Sequence, residues 1–213
     1  MTSARRTPTP RPRQASTKRP TSSSPSALSV LTDDHRAVEK LFARFEGLGP
    51  KAHKTRQSLV EKTSQLLSTH AGIEEMVFYP DVRSKLEALN DTVLEALEEH
   101  HLVKMTLAEL QGMRSEDERF AAKFTVLMEC VRHHVKEEER ELFPKVRKAF
   151  SRGELEALGE RLLAAKSTAP KRPHPESPDT PPGNVVATAL TAPLDAAANL
   201  AGAARDQVRD LVT

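Results

Sequence analysis

Four stretches of roughly twenty residues space their apolar positions three and four apart, and each one sets a histidine on its apolar stripe. In "LTDDHRAVEKLFARFEGLGP" the stripe is Val38, Leu41, Phe42 and Phe45, with His35 one turn earlier. Thr32 or Asp33 supplies a cap there, and Gly47, Gly49 and Pro50 stop the helix. The second stretch, from about Lys54 to Tyr79, carries Leu59, Thr63, Leu66, His70, Ile73, Glu74 and Val77, and Pro80 is expected to end it. A short joint leads to Asn90 or Asp91 as cap of the third, which holds Val93, Leu97, His100, Val103, Leu107 and Leu110 and stops near Gly112. The fourth starts around Asp117 and lines up Phe120, Phe124, Leu127, Val131, His134 and Glu138 before Pro144. Amphipathic helices of this length, with short joints and no convincing strand, predict an all-α, up-down four-helix bundle. "SRGELEALGERLLAAK" opens on a capping box, Ser151 to Glu154, and predicts a short extra C-terminal helix across one end.

The bundle is assigned to residues 28–166. Residues 1–27 are Pro, Ser, Thr and Arg with little to bury, which predicts a disordered basic arm. Its cations are Arg5, Arg6, Arg11, Arg13, Lys18 and Arg19, with no acid, although the net charge of the whole chain is only +2. The arm reads as a solubilising tail or a weak polyanion contact. Nothing beside it reads a groove, so no specific nucleic-acid partner is expected. Residues 167–213 read as a Pro-rich linker followed by a weak alanine-rich amphipathic helix from about Val185 to Val212. No apolar run follows Arg5 and Arg6, so neither a signal peptide nor a membrane partner is expected. With Cys130 the single cysteine, the expected location is cytoplasmic. Cys130 itself reads as a small core residue.

His70 and Glu74, like His134 and Glu138, stand four apart and share a helical face. His35 and His100 occupy the matching place on the other two helices. An ionised carboxylate buried without a partner costs several kcal/mol, so two of them among four imidazoles call for a compensating cation. The chain also repeats itself: acidic residues precede a histidine in "DDHRAV" and "EEHHLV", and the next histidine follows 35 residues later in one half and 34 in the other. This pseudo-two-fold fits two metal ions, one near His35 and His70, the other near His100 and His134, with Glu74 and Glu138 bridging. Two divalent ions against two carboxylates leave room for a hydroxide or oxide bridge. Mixed imidazole and carboxylate donors favour iron over manganese or zinc.

These residues, His35 in "DDHRAV", His70 and Glu74 in "HAGIEE", His100 in "EEHHLVK", and His134 and Glu138 in "HVKEEERELFP", resemble the hemerythrin-like family, also called the HHE cation-binding domain, over about residues 28–150. The resemblance implies a non-haem di-iron centre that binds oxygen or related small molecules. Oxygen-carrying members have a further histidine one turn along the third helix. Here that place is Lys104 counting from His100, or Met105 counting from His101. One ion then lacks an imidazole, which argues against simple carriage and for exogenous ligand or redox chemistry.

Glu39, Tyr79 and His101 are the additional donors considered. His101 and His133 otherwise read as solvated, and Glu75, Glu137 and Glu139 as an exposed acidic face or as groups that orient imidazoles. Phe42, Phe78, Phe124 and Phe143 read as packing that also keeps the pocket dry. The function expected is a di-iron protein that meets oxygen, peroxide or nitric oxide in sensing, buffering or detoxification. The alternatives are a peroxidase- or oxidase-like di-iron enzyme and a metal-stabilised interaction scaffold.

Overall fold

The protein, a computed structural model, is described over residues 24–191, 193–195 and 197. In chain order it comprises α1 (Ala27–Glu46), α2 (His53–Ile73), a π turn (Glu74–Phe78), α3 (Tyr79–Lys85), a 3-10 turn (Glu87–Leu89), α4 (Asn90–Gln111), α5 (Phe120–Glu137), a second π turn (Glu138–Leu142), α6 (Phe143–Ala149) and α7 (Arg152–Ala165). The four long rods, α1, α2, α4 and α5, form the expected bundle, and no strand occurs among the described residues. No helix there is long and apolar enough to cross a membrane.

Three boundaries differ from the sequence expectation. First, α1 begins before Thr32, because Ser26 accepts a hydrogen bond from the Ser29 amide and the added turn buries Ala27, Leu28, Val30 and Leu31. Second, Pro80 does not end the second helix. A proline lacks the amide for an i→i−4 bond and its ring crowds the carbonyl four residues back. The chain widens by one residue instead: the Tyr79 amide bonds the Glu74 carbonyl five residues back, and helix resumes to Lys85. Third, Pro144 is passed in the same way, with the Phe143 amide on the Glu138 carbonyl and α6 running to Ala149.

Residues 1–23 of the expected basic arm lie outside the described residues, and its last two, Ser26 and Ala27, cap and open α1. Beyond α7 the chain turns back onto α2, where Ala169 is buried and the Thr69 hydroxyl donates to the Pro170 carbonyl. Residues 183–191 are helical, and the expected alanine-rich helix beyond 197 falls outside the described residues.

Two apolar cores stabilise the bundle. One end packs Leu31, Ile73, Phe78, Val93, Leu142 and Leu162, drawing on α1, α4, α7 and both π turns. The other packs Phe42, Phe45, Leu107, Phe120, Phe124 and Leu127. All four histidines of the apolar stripes, with Glu74 and Glu138, belong to neither core, yet each is no more than 6% exposed. A polar layer is thus sealed between two apolar ones.

The extra helix α7 lies against the N-terminal part of α1, with its capping box formed by Ser151 and Glu154. The approach is close: a Cβ at Gly159 would stand 2.1 Å from the Pro25 carbonyl oxygen and 2.9 Å from the Ser26 carbonyl carbon. Ordinarily a helical Gly→Ala change is stabilising by up to about 1 kcal/mol. Here backbone must move, so Gly159→Ala is expected to cost about 2 kcal/mol, as overpacking does, measured by urea unfolding.

Candidate metal centre

The histidines face inward because the apolar stripes that carry them do. Four Nε2 atoms converge: His35 and His70 are 3.2 Å apart, and His100 and His134 likewise 3.2 Å. Between the pairs stand the two glutamates. Glu74 Oε2 lies 3.1 Å from His70 Nε2 and 3.4 Å from His100 Nε2. Glu138 Oε2 lies 3.3 Å from His35 Nε2 and 3.7 Å from His134 Nε2. Each carboxylate therefore spans the two histidine pairs. The six residues singled out from sequence are brought into one buried cluster.

On the far side of each ring, Nδ1 faces a carboxylate. His35 meets Glu139 at 2.9 Å, His100 meets Glu75 at 3.0 Å and His134 meets Glu99 at 2.7 Å. A carboxylate only accepts, so the proton sits on Nδ1 and the Nε2 lone pair is left pointing inward. His70 Nδ1 is 3.6 Å from Asp34, too far for a hydrogen bond, and has no other hydrogen-bond partner among the described residues.

The two π turns explain the reach of the next side chains. Residues five apart stack in a π turn, so Tyr79 follows Glu74, and Phe143 follows Glu138, onto the site face. The Tyr79 hydroxyl donates to Glu138 Oε1 at 2.9 Å and stands 3.5 Å from His100 Nε2. Phe143 stacks on His35 with ring centroids 6.0 Å apart.

Of the additional donors considered, only Tyr79 reaches the cluster. Glu39 is exposed and accepts two hydrogen bonds from Arg132, at 3.0 and 2.8 Å. Lys104, at the place one turn after His100, is buried and binds Glu75 at 2.9 Å. His101 stays half-buried outside the cluster. His133 is exposed, within a surface group that also holds Glu99 and Glu137. Cys130 is exposed rather than core, because its place on α5 falls one residue off the Leu127–Val131 stripe.

Glu99 was missed as an imidazole partner, and Asp34 as the carboxylate that faces His70. Their signal is the acid immediately before His35 and His100, and the partnership crosses helices: Glu99 serves His134, and Asp34 faces His70.

The cluster is short of positive charge. Both oxygens of Glu74 and Oε2 of Glu138 are buried without a hydrogen-bond donor. Burial, and then the charge of Glu138, push the Glu74 carboxyl well above the usual range. Burial would raise Glu138 too, but His134 and His35 hold it well below. Two donor sets each bring their ligand atoms within 4.8 Å of one another: His35, His70, Glu74 and Glu138 form the first, and Glu74, His100 and His134 the second. Orphaned buried carboxylates among inward nitrogen lone pairs fit a metal cation.

Comparison with known proteins agrees. The family model for the hemerythrin HHE cation binding domain matches residues 26–146. An uncharacterized hemerythrin-like protein of Schizosaccharomyces pombe is 32% identical over 167 residues, 78% of this chain and 81% of that protein. A DNA nickase of Nostoc is 30% identical over 146 residues, 67% of this chain, but the match spans 40% of that longer protein. A crystal structure of a hemerythrin HHE cation binding domain-containing protein from Mycobacterium kansasii superposes with a TM-score of 0.58 at 23% identity, covering 67% of this chain and 86% of the other, a likeness of fold.

Metal-free protein should betray the charge shortage in its pH dependence. Burial would lower His35 and His134, but Glu138 with Glu139, and Glu138 with Glu99, outweigh it and raise both above 6.5. With Glu74 also raised, the folded chain binds more protons than the unfolded one above pH 6.5, so stability is present below that pH and lost as pH rises. Burial pushes His70 down to about 4 and lowers His100 as well. Their opposite contribution is confined below pH 6.5. The melting temperature of chelator-treated protein is therefore expected to fall between pH 6.5 and 8, and added metal, which displaces those protons, to reverse the trend.

Proposed function

As the chain belongs to the hemerythrin HHE cation-binding domain family, we propose that its buried cluster holds a non-haem pair of iron ions whose partner is a small diatomic molecule or peroxide. His35 and His70 hold one ion, His100 and His134 the other, and Glu74 and Glu138 run between them. The observation that carries this reading is the set of buried carboxylate oxygens with no donor, set among imidazole lone pairs.

Charge supports a pair of ions over a single one. Asp34, Glu74, Glu75, Glu99, Glu138 and Glu139 are six carboxylates in or around the cluster, and Lys104 and Lys166 offset two of them. With neutral imidazoles four negative charges remain, which two divalent ions balance. Imidazole and carboxylate donors together suit iron. When bound, such a pair supplies one- and two-electron chemistry toward oxygen species. The chain's own part is to orient the imidazoles and exclude water. A cavity of about 20 Å³ beside the histidines, walled by Val38, Leu67, Ala71, Val103, Val131 and Val135, has room for a molecule of water size and favours an apolar diatomic one.

Purified protein is expected to carry about two irons per chain and to show near-ultraviolet charge-transfer bands that respond to oxygen. His70→Ala and Glu138→Ala should lose iron, and His133→Ala should keep it. Equal iron content in all three would refute the ligand assignment.

A peroxidase- or oxidase-like reading is favoured by Lys104 and Tyr79. Lys104 fills the place one turn after His100 but is committed to Glu75, so that side has no further imidazole. Tyr79 holds a proton on Glu138 Oε1 beside His100. On this reading iron-loaded protein turns over hydrogen peroxide steadily, and Tyr79→Phe is at least about a hundredfold slower with its iron retained, the usual loss for a proton donor. A single stoichiometric reaction with peroxide would exclude it.

A further inference from the structure

The family match ends at residue 146, yet the chain beyond it returns to the metal centre at three points. At the end of α7, Lys166 binds Asp34 at 2.6 Å, and Asp34 is the carboxylate that faces His70 Nδ1 from 3.6 Å. His70 is 5% exposed and Nδ1 is unpartnered, the one exception among four imidazoles whose other rings each meet a carboxylate. Lys166 holds Asp34 by Oδ1, while Oδ2 is the oxygen that faces the ring.

Four residues on, Pro170 presses on Gly72, midway between His70 and Glu74. A Cβ on Gly72 would stand 2.8 Å from Pro170 Cδ and 3.6 Å from Ala169 Cβ, and its three nearest neighbours all belong to residues 169 and 170. The Thr69 hydroxyl closes the contact on the Pro170 carbonyl at 3.1 Å. This turn of α2 is the one that leads into the first π turn.

Further along, residues 170–191 roof the side of the centre where Glu75 and Lys104 stand. Pro170, His174, Pro178, Asn184 and Thr188 line a narrow cavity with those two residues. The roof is fastened to itself, with His174 Nε2 at 3.1 Å from both oxygens of Asp195, a buried carboxylate.

We propose that the C-terminal extension is part of the metal centre: Lys166, through Asp34, and Pro170, through Gly72, position the His70–Glu74 turn, and the segment behind them keeps water from the Glu75 side. Lys166 and Pro170 are positioning residues; neither touches the cluster. The inference rests on the metal reading above only for its effect on iron, and its effect on His70 is independent of any ion.

The test uses full-length variants. Gly72→Leu places its side chain against Ala169 and Pro170 and lifts the extension; Lys166→Met frees Asp34, and Lys166→Arg restores the charge. In metal-free protein the imidazole resonances of His70 are expected to shift in Gly72→Leu and Lys166→Met, to return toward the parent position in Lys166→Arg, and to leave those of His134 in place. In iron-loaded protein, Gly72→Leu is expected to release iron to a chelator about tenfold faster, the scale on which groups behind a ligand act. His70 resonances unmoved in both variants overturn the proposal, as does iron release from Gly72→Leu at the parent rate. Parent protein that retains no iron counts against the metal reading instead, and the resonances then decide this one alone.

Discussion

Burial of like charge holds this architecture to one design. Glu74 and Glu138 are 0% and 3% exposed, in a layer bounded above and below by apolar core, and among the described residues no lysine or arginine pairs with either of them. A carboxylate in such a place is ordinarily neutralised or paired, since isolation costs several kcal/mol. The metal-free chain does what it can: one glutamate is pushed toward its protonated form, the other is held ionised by imidazoles, and Tyr79 donates to it. Cations in the same place would offset the cost outright and become part of the folding free energy.

The repeat is cleaner in space than in sequence. Asp34 and Glu99 precede the first histidine of each half and face the second; Glu75 and Glu139 follow each glutamate and cross to the first histidine of the other half. The two halves therefore support each other's ligands and neither half is complete alone. The π turns follow the same symmetry, starting at the glutamates and ending where Pro80 and Pro144 require a wider turn. The symmetry breaks at two positions, Tyr79 against Phe143 and Lys104 against Glu39. Both breaks concern the Glu75 and His100 side.

Periodicity made the rods legible, because most apolar stripe positions and all four histidines face inward; Leu66, placed on the second stripe, is exposed instead. The four histidines and two glutamates followed from the same rule. Helix ends were less legible. Pro80 and Pro144 look like stops under local rules, and the widened turn that carries helix past them is stabilised by packing of Phe78, Tyr79 and Leu142 that no local window contains. The start of α1 was hidden for a related reason, since its first turn is weakly patterned and is held by α7, more than a hundred residues away. Cys130 was misplaced because a small residue one step off a stripe carries little weight in a pattern.

Lysine is distributed unequally over the four carboxylates behind the imidazoles. Lys104 sits on Glu75 and Lys166 on Asp34, which face His100 and His70, the two rings that flank Glu74; among the described residues no lysine binds Glu99 or Glu139, which serve the rings that flank Glu138. Positive charge is thus banked on one face of the cluster. That face also carries the glutamate with both oxygens unpartnered, whereas Glu138 has one oxygen engaged by Tyr79. Glu74 therefore has two oxygens without a hydrogen-bond donor, and Glu138 has one while Tyr79 stays in place. A centre drawn from two matching halves becomes inequivalent through three side chains, Tyr79, Lys104 and Lys166, and only the last of these comes from outside the repeat.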